Sequence, residues 1–444
     1  MKRIVVFAIV TTFLVTACNV QNANVVYSQE TAGGQTTEGS ENSQADTVEI
    51  TDSQKGQEPE RGFTAKIGKK IGPMLSEKID TSKQSVYTYL YPELASWPTK
   101  GDDGSCYYFR NEGKGKNEKL VFYKNNGIKV CETTIEKSIK EKYYIRSFVK
   151  YGNRFFLAFD RRGYDDYGHG ILTTIDMESG KWGKVIEAAD DYYWMMVYED
   201  CFYCAFVNGS ITRYDLSGEK LELKNVAPDG YRQHIQCIAD GKIYYIVMQF
   251  GSGKVTRIMR SNLDGSGKET LFKYSKWSEE FIPGSLQIDG DYMYLAGEFG
   301  KLHCLARIPL YGGKIKKVVE ITDYDEDWFA LSDDSIFLYK RKGHSIYKVN
   351  KDLKGKAKTV TKVYYPKSYI VYAAPHYYAD GHLMMQGYNK KEHKIVNNLL
   401  HDEAVDWGTY RDARENYADD YYWVSEDGKV EDVIKGSGLK KEWK

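Results

Sequence analysis

The stretch DGKIYYIVMQFGSGKVTRIMRSNLDGSGKETLF, residues 240–272, decides the fold. It opens on an Asp-Gly turn and runs on as an aromatic, β-branched strand. A Gly-Ser-Gly break leads to a second strand. A turn at Asn262-Leu263-Asp264-Gly265 follows, and a short apolar strand closes the unit. Asp and Gly supply the positive-φ backbone that tight hairpins require. Ile, Tyr and Val suit a pleated surface. With the apolar strand before Asp240, the unit predicts four antiparallel strands.

The same unit recurs along the chain. Its first turn appears as DGSCYYF (103–109), YGNRFFL (151–157), EDCFYCA (199–205), DGKIYYI (240–246), DGDYMYL (289–295), DDSIFLY (333–339) and DGHLMMQ (380–386). The second residues of these matches are 48, 48, 41, 49, 44 and 47 positions apart. The second turn keeps step, at 123–130, 176–186, 215–223, 262–272, 309–319, 350–360 and 425–434. Four strands per 40–50 residues is the signature of a β-propeller, whose sheets bury their faces by stacking on their neighbours. The expectation is an all-β protein with a propeller over residues 95–438, of seven four-stranded blades, with six or eight left open. An open array of hairpins or a pair of sandwiches is the competing reading, and seven in-phase matches weigh against it. Within the lead-in 63–94, SVYTYLY (85–91) reads as one more strand. It is expected to close the ring against the last blade or to belong to an eighth, partial unit.

The segment 243–272 resembles the YWTD-type repeats of lipoprotein receptors. It is closer to the repeats of poorly characterised propeller lipoproteins from Gram-positive gut bacteria, which are related to TolB-like propellers. The resemblance spans about 340 residues, 95–436. It implies a fold and transfers no catalytic residue, because the matching positions are turn and core positions.

The N-terminus suggests an address. Lys2 and Arg3 precede an apolar run, Ile4 to Val15, too short to span a bilayer comfortably. The run ends in Leu14-Val15-Thr16-Ala17-Cys18. This resembles the bacterial lipobox, with Val15 where Leu is commonest. The resemblance implies cleavage after residue 17, lipidation of Cys18 and a protein held at the cell membrane on its extracytoplasmic side. Two acyl chains anchor stably where one does so marginally. The alternative is an ordinary secretory signal cleaved at Ala17. Residues 18–62 are rich in Gln, Glu, Thr, Ser and Gly and are expected to be a disordered tether.

Composition narrows the function classes. The 62 basic and 62 acidic residues cancel, so the chain carries no electrostatic footprint for nucleic acid. Tyrosine is abundant, with 38 residues, and is expected to sit half-buried with its hydroxyl hydrated. Besides Cys18 there are Cys106, Cys131, Cys201, Cys204, Cys237 and Cys304, mostly inside apolar strand patterns. Buried free thiols are favoured over a disulfide framework. Cys201 and Cys204 have C-x-x-C spacing, but residues three apart on a strand face opposite ways, which argues against a metal or redox pair. No HExxH, GxSxG, phosphate loop or complete Ca²⁺ loop occurs, and His376 and His382 read as surface histidines. No cofactor and no metal is expected.

Three long connections break the regular pattern. DRRGYDDYGHG (160–170) carries Tyr164, Asp165, Asp166, Tyr167 and His169. YSKWSEEFIPG (274–284) carries Trp277 and Glu280. HDEAVDWGTYRDARENY (401–417) carries Trp407, Tyr410, Arg411 and Arg414. Long loops in compact domains are often functional, and aromatic and Arg side chains anchor interfaces. In a propeller all three would share one rim. That rim is the candidate binding site, with a glycan or an envelope protein as partner. The competing reading makes 401–417 a capping helix with Trp407 as its core contact. A second functional class is a glycan lyase or hydrolase, with Asp165, Asp166, His169, Glu280 and Asp412 as its acid and base candidates. A third is a structural part of an envelope complex.

Overall fold

The computed structural model describes residues 67–89, 99–113, 118–125, 127–161, 170–188, 192–206, 210–223, 227, 231–249, 255–273, 286–299, 302–321, 329–340, 345–353, 358–362, 369–389, 391, 394–395, 398, 420–426 and 429–434. Two short strands come first, β1 (Lys70–Pro73) and β2 (Val86–Tyr89). Seven four-stranded units follow. Blade one is β3 (Thr99–Lys100), β4 (Cys106–Glu112), β5 (Lys119–Lys124) and β6 (Ile128–Thr133). A six-residue helix, α1 (Lys137–Lys142), leads into blade two: β7 (Tyr143–Tyr151), β8 (Arg154–Arg161), β9 (Ile171–Asp176) and β10 (Ile186–Glu187). Blade three is β11 (Tyr192–Tyr198), β12 (Cys201–Phe206), β13 (Ile211–Tyr214) and β14 (Lys220–Glu222). Blade four is β15 (Tyr231–Ala239), β16 (Lys242–Gln249), β17 (Val255–Asn262) and β18 (Glu269–Lys273). Blade five is β19 (Leu286–Asp289), β20 (Tyr292–Phe299), β21 (Leu302–Pro309) and β23 (Lys316–Glu320), with β22 (Tyr311–Lys314) in its outer turn. Blade six is β24 (Phe329–Leu331), β25 (Ser335–Lys340), β26 (Ser345–Asn350) and β27 (Lys358–Lys362). Blade seven is β28 (Tyr369–Ala379), β29 (His382–Asn389), β30 (Asp420–Ser425) and β31 (Val430–Ile434). The fold is a seven-bladed β-propeller.

The apolar core lies between blades, and the strand period explains why. Successive side chains of a strand point to opposite sheet faces. On β16, Ile243 and Tyr245 belong to the core shared with blades two and three. Tyr244 and Ile246 belong to the core shared with blade five. Both faces are buried, so the run IYYIV is continuously apolar rather than alternating. Further cores join blades one and two, five and six, and six and seven. Cys106 and Tyr108 of blade one pack with Ala379, Met384 and Trp423 of blade seven, which closes the ring. The first and last blades are each built from consecutive strands. Among the described residues, packing and not strand exchange closes the ring.

The recurring first turns are the tight hairpins expected. Both turn residues have positive φ at Glu199–Asp200, Asp240–Gly241 and Asp380–Gly381. The second turns use a local device: Asp176, Asp215 and Asp264 each accept from a serine backbone N–H and hydroxyl two or three residues on.

Two expectations change. The strand in SVYTYLY joins neither the last blade nor an eighth unit. Residues 86–89 pair antiparallel with Trp194–Val197, on the free edge of β11. The inner strand of a blade turns an edge toward the channel, and β2 satisfies the backbone of that edge for blade three. The tyrosines also differ: Tyr107, Tyr198, Tyr203, Tyr244, Tyr245, Tyr294 and Tyr422 are almost wholly buried. Blades stack on both faces, so a ring placed there has no wet side. Some of these hydroxyls find protein partners instead: Tyr245 meets Ser261 Oγ at 3.0 Å and Tyr107 donates to Asp103 Oδ2 at 2.8 Å.

Candidate functional site: the two faces of the ring

A propeller has two unlike faces. One carries the turns between first and second and between third and fourth strands. The other carries the second-to-third loops and the connections between blades. The described strand ends show which connection each long loop makes. Residues 162–169 join β8 to β9, residues 274–285 join β18 to β19, and residues 390–419 span β29 to β30. All three join strand ends that lie at the second face. The candidate residues Tyr164, Asp165, Asp166, Tyr167, His169, Trp277, Glu280, Trp407, Tyr410 and Arg411 lie outside the described residues, as do Cys18, Asp412 and Arg414.

The first face is described in detail, and the lead-in crosses it. β1 pairs with β22 on the outer turn of blade five. Ile79 N donates to the Tyr311 hydroxyl at 2.9 Å, and Lys78 meets Asp291 at 2.6 Å. Further on, Ser85 N donates to Ile238 O at 2.7 Å, and Asp240 N donates to Lys83 O at 2.9 Å. Gln84 Nε2 donates to Ile288 O at 2.9 Å. The chain thus bonds to the inner strands of blades four and five in turn. It then enters blade three as β2, running from the first face toward the second. Sequence reading found a strand here but not its partner. The signal that it missed is Gln84-Ser85, two polar side chains just ahead of VYTY that bond to edge backbone.

Charged clusters on this face tie blades together. Lys150, whose side chain is 8% exposed, pairs with Asp102 Oδ1 at 2.8 Å across the seam between blades one and two. Arg154 reaches Asp200 at 3.2 Å, and Lys351 reaches Asp289 at 2.6 Å. Burial raises the pKa of the Asp103 carboxyl, but the Ser105 N–H, the Tyr107 hydroxyl, Lys150 and Lys124 outweigh it and hold it below the usual range. Burial lowers the pKa of the Lys100 amine; Lys351 adds repulsion, and Asp333 and Asp289 oppose the shift.

No group of three or more His, Cys, Asp or Glu side chains converges among the described residues. His382 is held between Asp380 O at 2.6 Å and Glu431 at 2.8 Å and stacks on Trp423. It serves the last blade's hairpin. Cys106, Cys131, Cys201, Cys204, Cys237 and Cys304 are free thiols. Burial pushes the Cys237 and Cys304 thiols up to about 12 and raises those of Cys106 and Cys204 as well, the reverse of what a nucleophile needs.

Known proteins resemble this chain in fold only. No family model and no curated relative matches it. Among solved structures, BamB from Moraxella catarrhalis is 9% identical, over 82% of this chain and 92% of that one, at a TM-score of 0.37. The propeller domain of the Trilobed protease from Pyrococcus furiosus, described as having an open velcro topology, is 13% identical over 65% and 90%, at 0.38. A prolyl endopeptidase is 12% identical over 70% of this chain, at 0.42; this chain spans about half its length, 48%. At such scores they bear on neither activity nor ligand. The propeller assignment rests on the sheets themselves.

Proposed function

We propose that this chain is a lipid-anchored extracytoplasmic binding protein that takes its ligand on the face of the three long loops. The observation that carries this reading is the asymmetry of the ring. The chain's own lead-in occupies part of one face and the channel edge of blade three, while the three aromatic-rich connections join strand ends at the other. Cys18 is the anchor, and the tether gives the domain reach. The rim sequences are rich in Trp, Tyr and Arg, which suit stacking on a glycan or packing against an envelope protein. Nothing in the described residues supplies a nucleophile with its base.

The test is a glycan array and an envelope pull-down with the compact unit that follows residue 56. Trp407→Ala or Tyr164→Ala should weaken capture at least tenfold with unchanged thermal unfolding. Full capture by both variants would reject the rim. Metabolic palmitate labelling tests the anchor: label should enter the wild type and be absent from Cys18→Ala, which should appear in the medium.

A further inference from the structure

The lead-in has two mechanically different parts. Its root is apolar. Ile71, Met74 and Leu75 are 3%, 1% and 1% exposed and belong to the core between blades four and five. The Met74 and Leu75 N–H groups both donate to Leu310 O, at 2.8 and 3.0 Å. Beyond the root the character changes. None of residues 76–85 is buried. They are held by hydrogen bonds to Ile238, Asp240, Ile288 and Tyr311, by exposed ion pairs, and by one half-buried apolar side chain, Ile79, at the edge of that core. Lys78 and Asp291 are 73% and 53% exposed, and such pairs hold weakly. The tip, β2, is a four-residue strand on one edge of a sheet.

We propose that residues 76–89 are a displaceable arm, hinged at the buried root, that covers the inner edges of blades three, four and five at the first face. Segments with less buried apolar contact open more readily, so the arm opens before its root. Lifting it would uncover backbone donors and acceptors on three neighbouring blades. The first face is then a conditional mouth of the channel. The device does not depend on which ligand the rim takes.

Hydrogen-exchange mass spectrometry on the full chain, at single-amide resolution, tests this. The amides of Ser85, Ile238 and Asp240 bond across the arm and should exchange at least about 30-fold faster than those of Met74 and Leu75. Gln84→Ala removes the link to Ile288 O and leaves those five amide bonds intact. It should speed Ser85, Ile238 and Asp240 together, about three- to tenfold, and leave Met74 and Leu75 unchanged. Equal protection of arm and root in the wild type would overturn the proposal. So would a Gln84→Ala variant in which the arm amides do not accelerate together, or in which the root accelerates with them.

Discussion

At the scale of single residues, the strongest constraints are backbone sign and hydroxyl partnering. Glu199 holds φ of 46° in a tight turn where the matching residues are Gly152, Asp240, Gly290 and Asp380. An L side chain with a long stem is strained there, and Asn tolerates the region best. Glu199→Asn should raise stability by about 0.5–1 kcal/mol, read from urea unfolding. Asp103 gathers four donors, so Asp103→Asn should cost about 1 kcal/mol near neutral pH. Its sign with pH follows from the lowered carboxyl. The contribution is complete above the ordinary carboxylate value near 3.8 and is lost as pH falls through the lower folded value. The gap between wild type and variant should therefore close on acidification below about pH 4. Turn residues were legible in the sequence because Asp and Gly report φ directly. Tyrosine burial was not legible, because composition shows amphipathic residues and not whether a second sheet covers their outer side.

At the scale of elements, β12 and β2 are the instructive strands. Cys201 is partly exposed and Cys204 fully buried, so iodoacetamide should modify Cys201 in the native protein. Cys106, Cys204, Cys237 and Cys304 should react only in denaturant, as peptide mapping would show. Modification of Cys204 at the rate of Cys201 would contradict the packing of blade three. The C-x-x-C spacing was readable as structural from strand period alone. For β2 the strand propensity of VYTY was readable and its partner was not. Pairing is set by whichever edge backbone lies within reach, and the edge of β11 is 108 residues or so away in sequence (Trp194 opposite Tyr89, Val197 opposite Val86).

At the scale of the whole molecule, ring closure is the exposed joint. Among the described residues, no strand from one end of the ring completes the sheet of the other. The seam between blades seven and one holds, among the described residues, an apolar cluster and Asn125. The Asn125 side chain donates to Asp380 and accepts from Cys106 N at 3.1 Å. Its backbone has φ of 46°, so glycine is the informative replacement. Asn125→Gly keeps the turn, leaves Cys106 N and Asp380 without that partner, and should cost about 1–3 kcal/mol in thermal or urea unfolding. The period of 41–49 residues made the ring legible in the sequence, since only stacked sheets bury both faces of so many apolar strands. The chemistry of the rim was not legible to that degree, because loop residues answer to a ligand and carry no period. The most direct measurement is an experimental density map of the domain, viewed down the channel. The account predicts seven four-stranded sheets, with residues 86–89 bonded to Trp194–Val197 at the inner edge of the third. Six or eight sheets, a blade completed by strands from both termini, or a bare inner edge on the third blade would contradict it.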